Sequence, residues 1–127
     1  MGRALYALLL FVALHGGELH SGYAPHYSKN VMERVSRNRD MPLVECMVSS
    51  PYWPIGTMIV VYGWNTDRLE LCRITDVSAD KDRARHLRTR RVAELGYQEA
   101  IRFCGVRHIN HRPEQCPIIV VKLGADQ

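Results

Sequence analysis

The apolar positions of this chain fall into a few distinct rhythms. Ala4 to Leu14 (ALYALLLFVAL) is an unbroken run of 11 apolar residues behind a short basic start at Met1 to Arg3. Met58 to Tyr62 (MIVVY) and Pro117 to Leu123 (PIIVVKL) are β-branched runs of strand length, and Leu43 to Ser49 (LVECMVS) is a third apolar run of that length. Leu69 to Val77 alternates apolar with polar, the period of a half-buried strand, and the turn residues Gly63 to Asp67 join it to MIVVY as a hairpin. Gly22 to Tyr27 reads as a short edge strand, because Pro25 has no N–H to give a central ladder. Helical spacing occurs at Lys29 to Arg39 through Val31, Met32 and Val35, with Ser28 as its cap. It recurs after Thr89 at Val92, Ala93 and Leu95, breaks at Gly96, and resumes from Tyr97 to Phe103 before Gly105. Ser50 to Thr57 is a turn rich in breakers, and Ser78 to Arg88 reads as a charged loop. Several strands, few helices and tight turns predict a small mostly-β barrel rather than a doubly wound sheet.

The first apolar run is expected to be a secretory signal peptide over residues 1–21, leaving residues 22–127 as the folded domain. Eleven residues are too few to span the roughly 30 Å hydrocarbon core of a bilayer. Cleavage after Gly16 and cleavage after Ser21 both fit, and an amphipathic helix buried against the domain is the second reading of the run. No cysteine precedes the domain, so no lipid anchor is expected.

Composition then narrows the class. The 127 residues are 46% hydrophobic and 24% charged, which fits one globular domain and excludes a collagen-like polymer or a wholly disordered chain. An even set of cysteines behind an export signal favours two disulfides, and Cys46, Cys72, Cys104 and Cys116 permit three connectivities. Cys46–Cys72 with Cys104–Cys116 is preferred, because the second pair closes one local loop after a helix. The rival reading is a metal site of Cys104, His108, His111 and Cys116. An oxidising compartment removes the thiolates it needs, so no metal and no cofactor are expected.

The order Pro54-Ile55-Gly56-Thr57 before Met58 to Val61, then Cys72-Arg73-Ile74-Thr75-Asp76, Leu87, Glu94-Leu95-Gly96 and the terminal strand Ile118 to Leu123 resembles a known family. It is similar to the double-psi β-barrel of rare lipoprotein A and, more distantly, of expansins and barwins, across residues 22–123. The resemblance implies a six-stranded double-psi barrel with one or two short helices, disulfide-stabilised, and a groove that takes a polysaccharide. Family members include lytic transglycosylases that cleave peptidoglycan and wall-binding proteins without hydrolysis. Asp76 matches the acidic residue at the strand end, the candidate acid/base. The family's second acidic position falls at His86, its histidine falls near Ser50, and Glu33 and Glu45 stand nearest its upstream glutamate.

A lytic transglycosylase needs one proton-handling carboxyl, because the sugar's own hydroxyl attacks. Asp76 fits that role, with His86 relaying its proton; the structural alternative has Asp76 capping a turn or paired with Arg73, Arg83 or Arg85. Tyr27, Tyr52, Trp53 and Trp64 are candidates to stack on sugar rings, those in turns most of all. The net charge of +4 is concentrated in Lys81 to Arg91, where six basic residues meet Asp82 alone. Arg85 and Arg88 of that stretch are candidate contacts for an anionic polymer, or else members of a solvated loop. The expected partner is a cell-wall polysaccharide. A stable membrane anchor and a nucleic acid are not expected, and the chain is expected to be a secreted or wall-associated monomer.

Overall fold

The computed structural model describes residues 2–105 and 112–123. Its centre is one six-stranded mixed sheet, built from β1 (Gly17–Tyr23), β2 (Met47–Ser50), β3 (Met58–Gly63), β4 (Arg68–Val77), β5 (Glu94–Leu95) and β6 (Pro117–Leu123). The strand order is β1-β6-β3-β4-β2-β5, with β2 and β4 parallel and the other neighbours antiparallel. Four helices accompany it: α1 (Arg3–His15), α2 (Val31–Asn38), α3 (Asp80–Arg88) and α4 (Tyr97–Cys104).

The sheet curls until its two edges meet. Past β1 the chain runs beside residues 90–95: Tyr23 N–H donates to the Arg90 carbonyl at 2.8 Å, Leu95 N–H to the Pro25 carbonyl at 3.0 Å, and Tyr27 N–H to the Leu95 carbonyl at 2.8 Å. Pro25 fits this seam because it contributes a carbonyl and no donor. Gly22 fits for a different reason, since a Cβ there would strike the Arg90 carbonyl and the Val92 side chain. Inside the curl lies the main core, with Val48, Ile59, Val61, Ile74, Val92, Leu95, Phe103, Ile118 and Val120 buried. The disulfides Cys46–Cys72 and Cys104–Cys116 border it, in the preferred pairing.

Several elements differ from the sequence expectation, each for a physical reason. Residues 78–88 are not a loop: α3 forms because Asp80 and Asp82 fill its first turn and Arg85, His86 and Arg88 its last, complementing the helix dipole. Val92, Ala93 and Leu95 have helical spacing but are buried in extended chain between the seam and β2, where sheet pairing overrides the local pattern. The described residues of the expected domain thus hold three α-helices, α2, α3 and α4, against the one or two short ones expected. The 43–49 run pairs only from Met47 onward, and the Glu99 carboxylate of α4 accepts the Met47 N–H at 2.6 Å. Ser28 offers α2 its backbone carbonyl, to Val31 N–H, and no side-chain cap.

The first strand begins at Gly17, so it crosses the expected boundary at residue 21 and makes seven register pairs with β6. Of the two expected cleavage points, Gly16 lies between α1 and β1, while Ser21 lies within β1. Leu5 and Leu8 of α1 pack on the outer sheet face, over Val60, Tyr62, Ile119 and Val121. No described helix is long and apolar enough to cross a membrane.

Candidate functional site

Two carboxylates meet where the parallel strands β2 and β4 end. A bulge between Val48 and Ser49 skips one residue of β4, so Ser49 pairs beside Asp76 rather than Thr75. On its other side, β5 sets Glu94 opposite Ser49. Asp76 and Glu94 therefore flank one serine from adjacent strands. Tyr27, delivered by the seam, donates its hydroxyl to Asp76 Oδ2 at 3.0 Å, and Arg39, just past α2, pairs with Asp76 Oδ1 at 2.8 Å. None of the arginines proposed as partners from sequence is the one used.

The electrostatics of the two acids differ. Burial pushes the Glu94 carboxyl above its ordinary value, and the negative charge of Asp76 pushes it further, against a smaller pull from His26 and Arg91. The Tyr27 phenol is also raised, first by burial and then by Glu94. A half-buried acid that resists ionisation thus stands beside a carboxylate held by a guanidinium and a phenol. Such a pair suits acid chemistry, because one group can donate a proton while the other carries charge.

His86 occupies the flank of this cluster. Its Nδ1 shares a 2.8 Å hydrogen bond with Ser78 Oγ, and together with Ser49, Ser78 and Glu94 it lines a small pocket. Burial lowers its pKa, and the positive charges of Arg85 and Arg91 lower it further, which favours the neutral ring. Asp76 and His86 therefore have separate partners, Tyr27 and Arg39 for one and Ser78 for the other.

One residue further along β2 and β4, Ser50 and Val77 begin the wall of a cleft of about 440 Å³. Tyr52, Trp53, Pro54, Ser78, Asp80 and Arg83 complete much of its lining. Trp53 is buried in the main core and shows the cleft only its margin, with 7% of its surface exposed. Tyr52 is half-buried and stacks on His20, ring centroids 3.6 Å apart and nearly parallel. Trp64 lies elsewhere: it belongs to the β3–β4 turn and packs edge-on against Tyr62. The ten residues of β4 separate that turn from the cleft, about 30 Å at roughly 3.3 Å per residue. Arg85 and Arg88 sit on α3, where Arg85 pairs with Asp82 at 3.2 Å. The structure thus gathers Tyr27 with Asp76, and Tyr52 with Trp53, but not Trp64 with either.

Sequence reading passed over Arg39, Ser49 and Glu94. The available signal was the Glu94-Leu95-Gly96 step directly before a helix, which a helical assignment of 92–95 hid. In the cysteine-histidine metal reading, Cys104 and Cys116 are bonded to each other, and His108 and His111 lie outside the described residues. Comparison with known protein families, curated proteins and solved structures returns no match for this chain.

Proposed function

We propose that this chain is an extracytoplasmic barrel of the rare lipoprotein A-like kind that binds cell-wall glycan and cleaves it as a lytic transglycosylase. The observation that carries the reading is the Asp76–Glu94 pair across Ser49, one residue along β2 and β4 from Ser50 and Val77, which line a cleft together with Tyr52 and Trp53. The two disulfides fit the oxidising compartment in which such a substrate lies. The family's second acidic residue precedes the helix that follows its short strand. We assign that position to Glu94, which precedes α4, in place of His86, which lies within α3.

In this mechanism the protonated Glu94 carboxyl gives its proton to the glycosidic oxygen as the bond to C1 breaks. The sugar's own 6-hydroxyl closes on C1, and the proton it sheds returns to Glu94, so no water or second base is consumed. Asp76, paired with Arg39, stabilises the positive charge developing at C1. The proton-handling role expected of Asp76 passes to Glu94 because Asp76 is already ion-paired.

The test is release of anhydromuropeptides from purified peptidoglycan sacculi. Wild type should release them, and Glu94→Gln and Asp76→Asn should each lose about a hundredfold or more. Equal release by the variants would sink the assignment. A second reading, a non-catalytic expansin- or barwin-like binding module, is favoured by the Arg39 and Tyr27 bonds that occupy both oxygens of Asp76. It predicts co-sedimentation with sacculi and no soluble fragments.

A further inference from the structure

The cleft draws part of its wall from a helix that the core does not require. No side chain of α3 is buried, yet the helix is fixed at both ends. Ser78 and His86 share a hydrogen bond, Arg91 N–H donates to the His86 carbonyl at 2.9 Å, and Arg90 donates to the Ser21 carbonyl at 3.1 Å while its guanidinium lies 5.8 Å from the centre of the Tyr23 ring. Between these anchors, Asp80 and Arg83 stand three residues apart on one helix face and line the cleft.

The charge on that face is unequal. Asp80 and Asp82 lie in the first turn, where the helix dipole favours them, and Asp82 is engaged by Arg85. Among the described residues no carboxylate pairs with Arg83, nor with Lys81 or Arg88 on the same helix. A planar guanidinium at the wall of a sugar-sized cleft that Tyr52 also lines matches the geometry of a carboxylate carried on a sugar ring. We infer that the cleft is a subsite for a carboxylate-bearing glycan, with Arg83 as the residue that reads the charge. This deepens the glycan reading above and rests on it.

The experiment is equilibrium binding of the full chain, in 0.15 M salt, to three probes: oligogalacturonate, the neutral chitohexaose, and polyphosphate as a polyanion without sugar. Oligogalacturonate should bind about tenfold more tightly than chitohexaose. Arg83→Gln should reduce that preference to about twofold or less, and Arg83→Lys should restore part of it. Arg83 is exposed, so circular dichroism should show both variants folded. Equal affinity for the two glycans, or a preference that survives Arg83→Gln, overturns this inference alone. Polyphosphate bound as tightly as oligogalacturonate also overturns it, since charge without sugar would then suffice. Binding to neither glycan with sacculi still bound overturns this inference alone, and binding to neither glycan nor sacculi overturns the glycan reading itself.

Discussion

At the hairpin end of β4, Glu70 lies between two guanidinium groups, Arg102 at 2.9 Å and Arg68 at 3.0 Å. Tyr62 donates to Asp67 at 2.6 Å, and Asn65 and Thr66 donate to the backbone of α4 and of the turn before β6. At the other end of the same strand, the carboxyls of Asp76 and Glu94 lie on either side of Ser49, and the one guanidinium paired there, that of Arg39, is on Asp76. The hairpin end uses ionisable groups to tie a loop to a helix. The far end sets two carboxyls side by side, an arrangement that burial and mutual repulsion both disfavour.

The largest test of this contrast is removal of the Cys104–Cys116 bridge, which joins α4 to the start of β6 at the hairpin end. Cys104→Ser with Cys116→Ser should cost about 2–4 kcal/mol in denaturant unfolding, with sacculus binding retained under native conditions. Loss of binding with the fold intact would break the separation of the two ends. Arg102→Gln comes next, at about 1–3 kcal/mol, because it leaves Glu70 under-partnered and the Glu45 carbonyl without its donor. Burial alone would raise the Glu70 pKa, but the hydrogen bonds from Arg102 and Arg68 outweigh it and hold the value low. Its stabilisation is therefore present above the ordinary carboxylate range and is lost as pH falls through the lowered folded value. The variant should show a flatter acid limb in a pH series of unfolding midpoints.

Glu94→Gln should have the opposite sign. A carboxyl raised in the folded state favours folding below its ordinary value, and that contribution disappears as pH rises through the folded value. The substitution should add up to about 1 kcal/mol at neutral pH and nothing in acid, while removing glycan cleavage. Destabilisation at neutral pH would show that Glu94 is a structural partner. The smallest effect belongs to Trp64→Ala, expected to cost no more than about 1 kcal/mol and to change glycan affinity by less than about twofold, since Trp64 is at the hairpin end.

The parts of the fold that were legible in the sequence are those written in local periodicity. The β3–β4 hairpin, β6 and the Cys104–Cys116 loop follow from alternation, β-branched runs and short separation. α3 left no such trace, because a helix with no buried face has no apolar stripe to read. β5 is only two residues long, and its neighbours Val92 and Ala93 mimic a helix until the seam and β2 pair on both sides of it. The start of β1 was hidden by a Gly-Glu-Leu-His-Ser-Gly stretch that reads equally as the tail of a leader. At the site, Asp76 was visible through the family resemblance, at the end of a strand. Arg39 and Glu94 were not, since one is 37 residues away and the other reaches Asp76 only through a bulge in β2.

The proposed chemistry depends most directly on the coupling of Asp76 and Glu94. Carbon-13 NMR titration of the Glu94 side-chain carboxyl, in wild type and in Asp76→Asn, measures that coupling. The wild-type group should titrate above the ordinary carboxylate range, and Asp76→Asn should bring it down part of the way, leaving the portion caused by burial. An ordinary value in wild type, or a raised value untouched by Asp76→Asn, would contradict the claim that these two acids work as a pair.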